Sequence, residues 1–162
     1  MKIAVIGAGN VGGAIGALLA AQGHDVAYGV RSPDSEKTQA ALARTPNAQA
    51  LTSQQAADFA EVIVLATEAS VAIQQATDLT GLDGKIIIDA TNRMRENRPI
   101  SVTEEIATAA PGAKVVKAFN SMGFNIYANP NFNGTTATMV FRSWMLAASP
   151  TPFTWKKWRN CG

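Results

Sequence analysis

The chain is poor in the side chains that most often carry metal binding and nucleophilic catalysis. Its 162 residues hold one cysteine, Cys161, and one histidine, His24. A lone cysteine closes no internal disulfide and builds no cysteine-rich metal site, so no metal is expected, and the reducing cytoplasm is the expected location. Aromatics make up only 7% of the residues. No uninterrupted apolar run reaches the roughly 20 residues needed to cross a bilayer. Lys2 and the apolar stretch to Ala21 have the outline of a secretory leader. However, Gly7, Gly9, Gly12, Gly13, Gly16 and Asn10 interrupt the stretch, and they break an apolar helix. Charge of one sign is also missing. The net charge of +2 is too small to argue for nucleic acid, and there is neither a helix-turn-helix pattern nor a basic folded face. No pair of carboxylates is spaced for acid–base work. Neither a membrane nor a nucleic acid is therefore an expected partner.

What is present is alternation. Lys2–Gly7, Asp25–Val30, Ala48–Leu51, Glu61–Thr67, Lys85–Ala90 and Lys114–Phe119 read as strands, several of them unbroken apolar runs. Between them lie helical segments: Asn10 to about Gln22, a short polar helix to about Arg44, Ser53–Phe59 with Ser53 as cap, Ala69–Leu79, and Ser101–Ala110 opening on the Ser101/Glu104 capping box. Thr135–Phe141 reads as a final β-branched strand. Continuous apolar strands alternating with helices indicate a sheet covered on both faces. Right-handed crossovers then leave an α/β, doubly wound, mostly parallel sheet as the leading topology.

The expected domain runs from 1 to 141. Residues 142–162 differ in kind: they hold all three tryptophans, Pro150 and Pro152, and the bases Arg142, Lys156, Lys157 and Arg159 without one acid. An extension packed on the sheet edge is one reading of this tail. A shifted reading frame, leaving it foreign to the fold or disordered, is the reading that the composition favours.

The chemistry is concentrated at the first turn. Gly7-Ala8-Gly9-Asn10-Val11-Gly12 fits G-x-G-x-x-G, follows an apolar strand, opens a helix and begins a β-α-β unit. Gly7 permits the tight turn, Gly9 lets a pyrophosphate approach the backbone, and Gly12 lets helix and strand pack closely. The helix start offers free N–H groups to phosphate oxygens. A structural glycine turn without a ligand is the other reading; the whole unit points to the Rossmann NAD(P)-binding fold. The end of the second strand decides the nucleotide. Tyr28-Gly29-Val30-Arg31-Ser32 carries no acid to accept bonds from a ribose 2′-hydroxyl. Arg31 offers a planar donor fork to a 2′-phosphate, Ser32 adds a hydroxyl and Lys37 adds charge, offset in part by Asp34 and Glu36. NADP(H) is therefore expected over NAD. The later strand ends, Ala66-Thr67-Glu68, Asp89-Ala90-Thr91-Asn92 and Phe119-Asn120-Ser121-Met122-Gly123, should line the nicotinamide and substrate crevice. Ala66, Thr67 and Asn92 are candidates for the cofactor side, and Asn120, Ser121 and Met122 for the substrate side. Asp89 and Thr91 read equally well as turn caps. His24 falls at the opposite end of the strands and reads as a turn residue.

GAGNVG, the Val30-Arg31-Ser32 that follows the second strand, DATN at 89–92 and VVKAFNSMGF at 115–124 together resemble the NADPH-dependent F420 reductase family. The resemblance covers roughly residues 1–141, with KAFNSMG its most specific stretch. It implies hydride transfer between NADPH and coenzyme F420, or a similar flavin-like or small acceptor. In that family the residues after the second strand bind the 2′-phosphate, often as Ser-Arg-Arg; here one arginine remains, and Arg93 stands where relatives commonly have proline. Members continue past the last strand into segments that form the substrate side and a homodimer, which this tail does not resemble. Two functions stay open: an NADPH-dependent oxidoreductase without a nucleophile or metal, and a non-catalytic, truncated NADP(H)-binding module.

Overall fold

The apolar runs fold into one sheet. In a computed structural model that describes residues 1–92, 100–121, 123–127, 131–132, 134–136, 139 and 141–144, the strands are β1 (Lys2–Ile6), β2 (Asp25–Gly29), β3 (Gln49–Leu51), β4 (Val62–Leu65), β5 (Ile86–Asp89) and β6 (Lys114–Lys117). They lie in the order β3-β2-β1-β4-β5-β6, every neighbouring pair parallel. Helices α1 (Asn10–Ala21), α2 (Glu36–Arg44), α3 (Ser53–Phe59), α4 (Ala69–Asp78) and α5 (Val102–Ala109) connect them. The reversal of strand order beside β1 and the helices on both faces make this the doubly wound sheet that the alternation implies.

The two faces of the sheet form two apolar layers. On one, α1 and α2 cover β1, β2 and β4 through Ile15, Ala41, Val5, Tyr28 and Val64. On the other, α3, α4 and α5 bring Ala56, Ala72, Ala76, Ile106 and Ala107 onto Ile6, Ile63, Leu65, Ile87 and Val115. Alternate residues of β4 serve opposite layers, which is why its VIVL is buried throughout. Alanine dominates the helix contacts, and its small side chain lets helix axes lie close to the sheet.

Helix starts follow local chemistry. Ser101 accepts the Glu104 amide while Glu104 reaches back to the Ser101 amide at 2.7 Å, so the expected capping box forms. At α3 the box belongs to Thr52 and Gln55. Ser53, expected as the cap, is instead the first helical residue, because a glutamine three residues on is available to Thr52 and not to Ser53.

The carboxyl side of the chain departs from expectation. Of the segment expected as a strand over Thr135–Phe141, residues 137, 138 and 140 lie outside the described residues, and Thr135–Thr136 (β8) pairs antiparallel with Asn131–Phe132 (β7) in a separate ribbon. The main sheet gains its seventh strand from Arg142–Trp144 (β9), antiparallel to β6. The first three residues of the segment set apart as a tail thus lie on the sheet edge. Residues 145–162 are outside the described residues. Among the described residues no helix is long and apolar enough to cross a membrane.

Candidate functional site

Strand register brings the candidate residues to one edge. Ile6 pairs with Gly29 and Leu65, Leu65 with Asp89, and Asp89 with Lys117. The residues that follow these pairs therefore emerge together at the carboxyl ends of the strands: Gly7, Val30-Arg31, Ala66-Thr67, Ala90-Thr91-Asn92 and Ala118-Phe119-Asn120. His24 lies at the opposite end, its Nδ1 3.5 Å from the amino group of Met1.

The first turn is built by close approach. Gly7 has φ +101°, which excludes an ordinary side chain. A Cβ there would also stand 2.8 Å from the Ala66 carbonyl oxygen and 2.9 Å from Thr67 Cγ2. The Gly7 amide donates to the Gly29 carbonyl at 3.0 Å, and the Ala66 amide to the Ile6 carbonyl at 3.0 Å. At Gly12 a Cβ would overlap the Gly7 carbonyl oxygen, so glycine here is a packing requirement between helix and turn. Gly9 differs. It is the N-cap of α1 at φ −74°, a conformation open to any residue, and a Cβ there would meet nothing within 4 Å. Among the described residues nothing demands glycine at Gly9, and none comes within 4 Å of a Cβ there.

The start of α1 fits an anion. Gly13 donates to the Gly9 carbonyl at 2.7 Å. The amides of Asn10, Val11 and Gly12 precede the first intrahelical bond. Among the described residues no side chain caps them, and no acid lies in the first turn. Ala8 is buried and Val11 half-buried against the core beside β1, so both can serve a ligand only through their backbone. A diphosphate matches these donors and the open face of Gly9.

Arg31 and Ser32 are exposed at the end of β2, and Lys37 is exposed in the first turn of α2. Thr67, half-buried, donates its hydroxyl to the Glu68 carbonyl at 3.3 Å, and Asn92 is exposed. Asn120 and Ser121, expected on the substrate side, are exposed, while Met122 lies outside the described residues.

A buried polar knot closes the β5–β6 end. Asp89 is 0% exposed. One carboxylate oxygen accepts the Thr91 amide at 2.9 Å and its hydroxyl at 2.7 Å, and the other accepts the Thr103 hydroxyl at 2.7 Å and Lys117 Nζ at 3.0 Å. Lys117 also donates to the Thr91 carbonyl. Asp89 therefore does cap its turn, as one reading of the sequence had it, and in addition neutralises a lysine. Lys117 was missed because its partner is 28 residues away. Placing β5 beside β6 would have exposed the pair, since both residues end their strands.

Beyond β6, Phe119 takes φ +61°, a left-handed conformation unfavourable by about 1–2 kcal/mol for a bulky residue. Tyr127 holds it there. The Tyr127 hydroxyl donates to the Phe119 carbonyl, and the two rings meet edge to face at 5.6 Å. Burial pushes the Tyr127 pKa above its ordinary value of 10.0, so the hydroxyl remains a donor. The 3-10 turn Phe124–Ile126 just before Tyr127 packs on α1. The segment bearing Asn120 and Ser121 is thereby tied to the helix whose start offers the free amides.

A protein-family model described as NADP oxidoreductase, coenzyme F420-dependent, matches residues 2–93. Among solved structures, a proposed F420-dependent NADP-reductase from Arthrobacter sp. FB24 is 31% identical with a TM-score of 0.71, the alignment covering 80% of this chain and 67% of that one. A hypothetical protein from Sinorhizobium meliloti is 27% identical with a TM-score of 0.68, covering 83% and 68%. An imine reductase from Aspergillus terreus, solved in complex with NADPH4, is 20% identical with a TM-score of 0.67, covering 86% of this chain and 46% of that one. The last likeness is one of fold.

Proposed function

The chain belongs to the family of coenzyme F420-dependent NADP oxidoreductases and is an NADP-dependent oxidoreductase of that class; on that premise we propose that it holds NADPH along the carboxyl edge of its sheet and reduces coenzyme F420 or a similar flavin-like or small acceptor. The observation that carries this reading is Gly9: its open face beside the amides of Asn10, Val11 and Gly12 is the cradle a pyrophosphate needs. Arg31 takes the 2′-phosphate with Ser32, and Lys37 adds charge. Ala66, Thr67 and Asn92 border the nicotinamide side, and Asn120 and Ser121 the acceptor side.

When bound, NADPH supplies a hydride from its dihydronicotinamide, and the acceptor takes it up with a proton. The protein's own task is placement, since such a transfer needs donor and acceptor carbons within about 3–3.5 Å. The free amides of α1 fix one end of the nucleotide. The Asp89–Lys117 knot and the Tyr127–Phe119 bond fix the floor on which the other end and the acceptor meet.

The family match ends at residue 93, ahead of Asn120, so it supports the nucleotide side more heavily than the acceptor side. A binding module without turnover is the second reading. Mixing the protein with NADPH and either F420 or FMN, and following loss of the dihydronicotinamide absorbance, separates the two. Oxidation that depends on F420 is the expected outcome. Saturable NADPH binding with no oxidation by either acceptor would establish the module instead.

A further inference from the structure

The turn that carries Arg31 and Ser32 is held from behind by a buried hydroxyl that the sequence pattern does not single out. Thr38, on α2, is 2% exposed. Its Oγ1 donates to the Ser32 carbonyl at 3.0 Å, and the same carbonyl accepts the Ser35 amide at 3.2 Å. Ser35 Oγ lies 2.9 Å from Thr38 Oγ1 and accepts the Thr38 amide at 3.3 Å. A carbonyl oxygen only accepts, so the Thr38 proton points to Ser32, and the Ser35 hydroxyl must then donate to Thr38. The relay has one direction: Ser35 hydroxyl to Thr38 hydroxyl to Ser32 carbonyl. Gln39 adds a second tether, its Nε2 donating to the Pro33 carbonyl at 3.0 Å. Arg31 and Ser32 themselves are exposed.

We propose that Thr38 is a specificity-positioning residue, whose buried hydroxyl sets the preference for NADPH over NADH by fixing the backbone behind Arg31 and Ser32. The inference rests on the assignment of Arg31 and Ser32 to the 2′-phosphate. An arginine anchored on an ordered turn loses less freedom when it grips a phosphate than one on a loose turn, and that difference appears directly in affinity. NADH lacks the 2′-phosphate, so a loosened turn costs it nothing.

The test is titration of the full chain with NADPH and with NADH, read by nucleotide fluorescence. Thr38→Val keeps the shape and removes the donor. It should raise the Kd for NADPH about five- to tenfold, the worth of one hydrogen bond, and leave the Kd for NADH unchanged. The unchanged NADH Kd also shows that the variant is folded. Thr38→Ser retains the hydroxyl and should restore NADPH binding. Arg31→Ala, measured alongside, should weaken NADPH far more than NADH. If Arg31→Ala is selective while Thr38→Val weakens both nucleotides equally or neither, the role of Thr38 is overturned and the 2′-phosphate assignment stands. If Arg31→Ala loses both equally, that assignment falls and the inference falls with it.

Discussion

The two halves of the carboxyl edge treat their polar groups in opposite ways. At the start of α1 and at Arg31 they are left unspent: among the described residues the first amides of α1 have no side-chain cap, Gly9 faces open space, and Arg31 is exposed. Around β5 and β6 they are spent on one another: Asp89, Thr91, Thr103 and Lys117 form a closed set, and the Phe119 carbonyl is taken by Tyr127. Unspent donors on an accessible edge are what a charged ligand requires. Donors satisfied internally cannot bind, but they hold a surface rigid. One half is built to take hold, the other to keep still, and substitutions in the two halves should fail in different ways.

The largest effect is expected in the closed half. Lys117→Met leaves the fully buried Asp89 carboxylate without its cation, and breaking such a pair from one side costs about 3–5 kcal/mol of stability. Thermal denaturation should show it as a large fall in Tm. Adding Asp89→Asn, which removes the stranded charge, should recover much of that loss. A Lys117→Met protein that melts like the parent would mean that the ion pair is idle.

Gly9→Val probes the open half, and here the fold should lose little. The backbone conformation is ordinary and a Cβ meets no described residue, so Tm should fall only by the roughly 1 kcal/mol that a poor N-cap residue costs a helix. NADPH affinity should drop by about a hundredfold or more, because branched carbons would occupy the approach of the pyrophosphate to the backbone. Intact binding would empty the first turn of its assigned ligand. Gly12→Ala supplies the contrast within the same motif: its Cβ collides with the Gly7 carbonyl, so stability and binding should fall together.

The open half was legible in the sequence because its signals are local. A glycine turn between an apolar strand and a helix, followed by Arg31 at the next strand end, lies within 31 consecutive residues. The closed half was not, because its pairings span the fold. Asp89 and Lys117 meet only after β5 and β6 lie side by side, and Thr103 reaches Asp89 from α5. The β-branched run at Thr135–Phe141 announced extended backbone but not a partner. Among the described residues Thr135–Thr136 belongs to a separate two-stranded ribbon, and Arg142–Trp144 to the main sheet. Ser53 and Thr52 are both good capping residues, and only the glutamine three residues on distinguishes them.

Within the open half the comparison narrows to two cations. Arg31 follows the end of β2 on a tethered turn, whereas Lys37 is exposed on α2 with Asp34 and Glu36 close in sequence. A guanidinium that forks onto a phosphate makes directed bonds that tolerate salt, and a solvated ammonium at a distance contributes only field. Lys37→Ala should therefore weaken NADPH by about two- to threefold at low ionic strength. That loss should vanish as added salt shortens the screening length to about 3 Å near 1 M. The selective loss in Arg31→Ala should persist under the same salt. A Lys37→Ala defect that survives high salt would make Lys37 a direct phosphate ligand and move the 2′-phosphate onto the start of α2.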